Sequence, residues 1–256
     1  VNAIMGRIKG TTSYDDLAGC DLVIEAVFEN PDIKKTVFRQ LDQTCKAGAI
    51  LATNTSYQNV DEIAAVTSRP QDVLGMHFFS PANVMKLLEI VRPEGAADDA
   101  IATAVAVGRK LRTVPVIVGN CFGFVGNRML AQRTRASERL LIAGALPHEV
   151  DAAVTAFGFK MGPYQMSDLA GLDIGWKPGA KTANPLRDMI CERTPRRGQK
   201  SGAGYYDYDA ARNATPSPEV AEIVKEFARQ SGVAARTVSS EEILEECIFP
   251  MINEGA

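Results

Sequence analysis

The chain has 256 residues, of which 46% are hydrophobic and 23% charged, and a formal net charge of −3. That is the composition of an ordinary globular protein, long enough for one large or two modest domains, and its balance speaks against a nucleic-acid or membrane-surface partner. No apolar run approaches the roughly 20 residues of a spanning helix, and five scattered cysteines without a Cys-x-x-Cys pair give no metal site, which fits reduced thiols in a cytosol-like compartment.

Residues 1–9 read as the end of a helix running into a strand near 8–12, and 15–19 as a helical turn. The run 22–27 is nearly all apolar, the mark of a parallel strand buried on both faces. Asn30-Pro31 opens a helix, Asn as cap and Pro at the first helical position, and Gly48 closes it. A buried strand at 49–53, a short helix at 60–66 and a strand from Val73 follow. Strand, helix, strand, helix, strand is the rhythm of an α/β doubly wound sheet. Ser80-Pro81-Ala82-Asn83 supplies a turn, and 86–91 alternates as the second strand of a hairpin. A helix at 98–111 and a strand at 114–118 complete a Rossmann-type domain, 1–119. Beyond Gly119-Asn120 the strand pattern disappears, and helices at 124–143, 147–156 and 163–171 precede a loop-rich stretch, 179–204. Residues 120–212 thus read as an all-helical domain. Residues 213–218 read as a linker, and 213–256 as that linker with two helices of a further repeat.

His77 is one of only two histidines, and the hairpin brings Glu89 back beside it. A carboxylate on an apolar strand face is rarely tolerated unpaired, and one that orients an imidazole suits a general base. Spacing alone leaves two readings open: such a dyad, or a core histidine with a glutamate facing water.

The stretch Gly75-Met-His-Phe-Phe-Ser-Pro-Ala-Asn-Val-Met-Lys-Leu-Leu-Glu-Ile-Val91 resembles the signature of the L-3-hydroxyacyl-CoA dehydrogenases. The likeness continues in Ala52-Thr-Asn-Thr-Ser56, Gly123-Phe-Val-Gly-Asn-Arg128, Met161-Gly-Pro163, Asp168-Leu-Ala-Gly-Leu-Asp173 and Gln199-Lys-Ser-Gly-Ala-Gly-Tyr-Tyr206. It runs through nearly the whole chain in the family's order. The resemblance implies NAD as cofactor and an acyl-CoA substrate. His77 would take the hydroxyl proton, Glu89 would stabilise the imidazolium, Ser56 would hydrogen-bond the reacting oxygen, and Asn127 would contact the substrate carbonyl. Ser56, Glu29, Lys34 and Lys200 would contact or flank the cofactor. Other readings of these residues are a helix cap for Ser56, a buried structural amide for Asn127 and a surface pair with Glu29 or Asp32 for Lys34.

Nothing in the sequence matches the Gly-x-Gly-x-x-Gly phosphate turn of a dinucleotide-binding sheet. The expectation is therefore a chain that starts inside that domain, with its N-terminal strands and glycine turn before Val1, and that binds NAD poorly by itself. Continuation past Tyr208 into two further helices resembles the multifunctional fatty-acid oxidation proteins, in which an enoyl-CoA hydratase, a lyase, accompanies the dehydrogenase. Alternatives are a monofunctional 3-hydroxybutyryl-CoA dehydrogenase and a non-catalytic, crystallin-like relative. The implied setting is cytoplasmic, or the peroxisome or mitochondrial matrix of a eukaryote, as a homo-oligomer or within a multifunctional complex.

Overall fold

The computed structural model describes residues 2–179 and 181–256; Val1 and Ala180 lie outside the described residues. After a short helix α1 (Asn2–Met5), residues 8–12 form no strand, contrary to the expectation above. Ile8-Lys-Gly-Thr-Thr12 has a single large apolar side chain, itself exposed, so it offers no apolar face to bury.

The first compact unit, Val1–Arg128, is built on a five-stranded sheet in the order β1 (Leu22–Glu25), β2 (Ile50–Thr53), β3 (Val73–Phe78), β4 (Leu87–Arg92), β5 (Val114–Gly119). The first three strands are parallel; β4 runs antiparallel to β3, and β5 parallel to β4. Helices α2 (Pro31–Thr44), α3 (Val60–Ala64) and α4 (Asp98–Lys110) supply the covering layers. Asn30 accepts hydrogen bonds from the Asp32 and Ile33 amides and so starts α2 where the sequence places it. Alternation along the strands sends Leu51 and Val73 to the α2–α3 side, against Phe38, Leu41 and Ile63. Ala52, Leu74, Met76 and Leu88 face Ala100, Ile101 and Ala104 of α4. Each such large side chain contributes roughly 1.5–3 kcal/mol by leaving water.

The second unit, Met129–Ala256, holds most of α5 (Gly126–Ala143), with α6 (Pro147–Phe157), α7 (Pro163–Ala170), α8 (Pro185–Arg193), α9 (Pro218–Gln230) and α10 (Ser240–Gly255). Two details correct the sequence reading. The stretch read as loop-rich contains α8, whose short apolar face of Leu186, Ile190 and Cys191 is hidden in sequence among charged neighbours. Residues 213–218 are not a linker: β6 (Tyr206–Tyr208) pairs antiparallel with β7 (Ala214–Pro216), and Asp209 accepts from the Asn213 amide and side chain to close the turn. Pro216 sits at the end of its strand, where a missing N–H costs little. Val220, Ile223, Ile243 and Cys247 of α9 and α10 share one core with Leu141 and Val150 of α5 and α6.

Two buried aspartates pin this core. Asp151 accepts the Tyr164 and Gln165 amides at the start of α7 and the Tyr206 hydroxyl, at 2.8–2.9 Å. Asp168 accepts the Tyr205 and Tyr206 amides at 2.7 and 3.0 Å and the Tyr208 hydroxyl at 2.9 Å. The glycines of the flanking motifs make room for them: a Cβ at Gly162 would lie 2.3 Å from the Asp151 carboxyl, and one at Gly204 1.9 Å from Asp168 Oδ1.

Burial pushes the Asp168 carboxyl up to about 6, against the opposing pull of its amide and hydroxyl donors and of Arg196. The protonated form is thus favoured by folding. Its stabilising share is complete below the ordinary carboxylate pKa near 4 and is lost as pH rises through 6, with a slope of at most about 1.4 kcal/mol per pH unit for one proton. Thermal unfolding should therefore show the wild-type midpoint falling between about pH 4 and pH 6, and Asp168→Asn should flatten that fall; an equal fall in both proteins would remove Asp168 as its source.

Candidate active site

The antiparallel register of β3 and β4 sets His77 directly opposite Glu89. Paired positions on neighbouring strands point to the same face, so the two side chains meet. His77 Nδ1 lies 2.7 Å from Glu89 Oε2, with side chains 4% and 1% exposed. Of the two readings left open by the sequence, the structure takes the dyad. Glu89 Oε1 accepts the Val125 amide at 3.0 Å and the Gly126 amide at 2.7 Å, where α5 begins. The carboxylate thus sits on the positive end of a helix, with both oxygens satisfied.

Local backbone makes that clamp possible. Gly123 (φ 75°) and Phe124 (φ 47°) are consecutive left-handed residues that turn the chain ahead of the two amides. Gly126 leaves no space for a side chain: a Cβ there would meet the Phe79 ring at 2.8 Å and Glu89 Oε1 at 3.5 Å. Phe79 and Phe124 flank the imidazole, with ring centroids 4.5 and 5.7 Å away. A carboxylate at Nδ1 assigns the proton to that nitrogen and leaves Nε2 as the acceptor.

Asn127 follows the clamped Gly126 amide, so the grip on Glu89 also places Asn127. Its side chain is half-buried and has no hydrogen-bond partner among the described residues. Ser56 lies beyond the carboxyl end of β2, beside the carboxyl end of β3; Asn54 ties the two ends together by accepting the Phe78 amide at 2.8 Å. Its hydroxyl has no partner among the described residues. The cap reading fails, because Asn59 caps α3 by accepting the Asp61 amide.

Glu29 Oε1 accepts the Thr55 hydroxyl at 2.5 Å and the Ser56 and Tyr57 amides at 3.0 and 3.1 Å. Burial opposes its ionisation, yet Thr55, the Ser56 amide, Lys34 and the Tyr57 amide together hold its carboxyl below the usual carboxylate range. Lys34 is not on the surface. It is 1% exposed, with its ammonium 2.8 Å from Glu25 Oε1 and 3.3 Å from Glu29 Oε2. The reading that paired it on the surface missed Glu25, whose signal was present: one carboxylate inside an apolar strand. Lys200 belongs to the second unit, where its ammonium is 2.6 Å from Asp173. Gly126, Phe79 and Asn54 went unassigned in the sequence, since their roles are contacts between distant segments.

A buried His–Glu pair at the carboxyl edge of a mostly parallel, helix-covered sheet defines a dehydrogenase-like α/β protein with a helical second unit. Residues 1–121 match the family model described as "3-hydroxyacyl-CoA dehydrogenase, NAD binding domain", and residues 123–208 match "3-hydroxyacyl-CoA dehydrogenase, C-terminal domain". The peroxisomal bifunctional enzyme of Homo sapiens is 45% identical over 96% of this chain, and the peroxisomal fatty acid beta-oxidation multifunctional protein of Oryza sativa subsp. japonica 36% identical over 100%. The chain spans 37% of the length of each. Among solved structures, the dehydrogenase part of a C. elegans multifunctional enzyme matches with a TM-score of 0.73 at 34% identity, over 99% of this chain and 59% of that one. (S)-3-hydroxybutyryl-CoA dehydrogenase from Ralstonia eutropha matches at 0.67 and 34%, over 81% and 77%. The chain belongs to the 3-hydroxyacyl-CoA dehydrogenase family.

Replacing Glu89 by Ala leaves the Val125 and Gly126 amides and the His77 Nδ1–H without their acceptor. Equilibrium unfolding should show a loss of about 3–5 kcal/mol, the usual cost of breaking a buried charged pair, and proton spectra should lose the deshielded Nδ1–H signal. Retention of that signal in Glu89→Ala would show that the proton is held elsewhere.

Proposed function

We propose that this chain is the dehydrogenase part of a multifunctional β-oxidation enzyme, interconverting L-3-hydroxyacyl-CoA and 3-ketoacyl-CoA. The observation that carries this reading is the buried His77–Glu89 pair, flanked in sequence and sheet by the Asn127 amide and the Ser56 hydroxyl, which have no hydrogen-bond partner among the described residues. In the oxidative direction Nε2 takes the proton of the substrate hydroxyl, and the imidazolium is stabilised at Nδ1 by Glu89. The Val125 and Gly126 amides hold Glu89 Oε1 in place, so the base does not swing away from the substrate. Ser56 donates to the reacting oxygen, and Asn127 donates to the thioester carbonyl. NAD, when bound, supplies the hydride acceptor.

The donor set at the carboxyl edge fits a nicotinamide. Phe28 is 81% exposed and Tyr57 44%, beside the ionised Glu29 and the free Ser56 hydroxyl. Glu29, Ser56 and the Lys34 that braces Glu29 would hold that end of the cofactor. No residue of this chain is assigned to the pyrophosphate.

Residues 213–256 favour the multifunctional reading over a monofunctional 3-hydroxybutyryl-CoA dehydrogenase. The multifunctional relatives match 96–100% of the chain, whereas the Ralstonia eutropha enzyme matches 81%. An enoyl-CoA hydratase would then accompany these residues in one protein. The names of the relatives point to the peroxisome; among the described residues no helix is long and apolar enough to cross a membrane.

His77→Gln in the intact protein should lower kcat for NADH-dependent reduction of acetoacetyl-CoA by about 10²–10⁴, the worth of general acid–base catalysis. KM should move little, since proton transfer is a transition-state interaction. Near-normal kcat in that variant would reject His77 as the base, and inactivity of the unaltered protein would reject the whole reading.

A further inference from the structure

Lys34 is the fourth residue of α2, near the helix end whose dipole repels a cation. It is also almost wholly buried against Glu25 and reaches Glu29 at the rim. Glu25 is the last residue of β1 and 4% exposed. Its Oε1 also accepts the Val27 amide at 2.6 Å, and its Oε2 accepts the Thr53 hydroxyl at 2.7 Å. A buried ion pair is weak support for stability, because a packed apolar pair of similar volume commonly does as well or better. A cation at the unfavourable end of a helix, at the carboxyl edge of parallel strands, therefore points to the site and not to the core.

The contacts also have a direction. Glu25 holds Lys34, Lys34 holds Glu29 Oε2, and Glu29 Oε1 holds the Thr55 hydroxyl and the Ser56 and Tyr57 amides. The Glu25–Lys34 link is a charged hydrogen bond, Lys34–Glu29 is an ion pair at 3.3 Å, and Glu29 accepts hydrogen bonds as a carboxylate; two of the three side chains sit in a low-dielectric interior where such contacts are strongest. The β1–α2 loop is in this way tied to the turn after β2, across a strand pair whose own ladder ends at Glu25 and Thr53.

We propose, resting on the role given to Ser56 above, that Glu25 is a positioning residue. Through Lys34 it fixes Glu29, and Glu29 fixes the turn that presents the Ser56 hydroxyl. Glu25 touches neither substrate nor cofactor in this scheme; it sets where Ser56 stands.

The test uses Glu25→Gln and the double variant Glu25→Gln/Lys34→Met in the intact protein. The double variant removes the buried charges together, so its thermal midpoint should return toward that of the unaltered protein even where Glu25→Gln alone unfolds. Amide hydrogen exchange at Ser56 and Tyr57 should nevertheless be at least about tenfold faster in the double variant, with β4 amides unchanged. NADH-dependent reduction of acetoacetyl-CoA should fall about tenfold in kcat, as expected for a misplaced contact to the reacting oxygen. Unchanged exchange at Ser56 and Tyr57, or a kcat that recovers together with the midpoint, would reduce Glu25 to a structural residue and overturn the proposal. Faster exchange with no turnover in the unaltered protein would uphold the positional link and reject instead the reaction assigned above.

Discussion

A carboxylate with 1% of its surface exposed is the constraint around which the first unit is arranged. Removing Glu89 from water costs several kcal/mol unless every lone pair in use finds a donor. Three donors from two places in the chain answer that demand: His77 on the neighbouring strand, and the Val125 and Gly126 amides at the start of α5. Much else in the unit serves these three bonds. The antiparallel turn-back of β4 brings Glu89 opposite His77. Gly75 lets the two strands approach, since a Cβ there would lie 2.6 Å from that of Val91. The left-handed pair Gly123–Phe124 aims the helix amides, and the missing side chain at Gly126 admits the Phe79 ring. One hydrogen-bonded carboxylate thereby sets the tautomer of a histidine and the position of the residue after the clamp, Asn127.

The other end of the same sheet edge uses the opposite strategy. There a cation is buried, and carboxylates are gathered around it. Glu25 and Glu29 approach Lys34 from inside and from the rim, and Glu29 carries the effect outward to the Ser56 turn. Both arrangements spend ordering on a few polar groups at the ends of the parallel strands, where backbone hydrogen bonding stops and side chains must finish the job. Between those ends, β2 is buried along its whole length. Precision is concentrated at the edge where ligands bind in sheets of this class.

The helical unit solves a different problem with the same device. Its loops around residues 162 and 204 are held by buried aspartates that accept their backbone amides. Asp151 and Asp168 need glycines opposite them because a Cβ would occupy the carboxylate's own position. This accounts for Gly162 in Met161-Gly-Pro163 and Gly204 in Ser201-Gly-Ala-Gly204 as packing requirements. Burial raises both carboxyls, which marks them as structural groups held at a cost in ionisation.

How much of this was legible in advance depended on the range of the interaction. Apolar runs and their caps are local, so the strands around Leu22, Ile50 and Val73 and the helix from Pro31 could be read from neighbours alone. The His77–Glu89 pair was legible because a hairpin makes twelve residues of separation a short-range matter. Helix α8 and the β6–β7 ribbon were not, since their few apolar residues are meaningful only against partners far along the chain. The strand expected at 8–12 shows the converse, extended-looking residues that form no strand. Composition, period and capping residues by themselves determined the α/β class, the order of the main elements and the His77–Glu89 pair as one of two possibilities. Only the tertiary structure decided that Glu89 is buried on a helix N-terminus, that Lys34 points inward to Glu25, and that Asn59 and not Ser56 caps its helix. Those choices turn on which distant group satisfies a buried charge or a free amide, and that satisfaction exists only once the segments have packed.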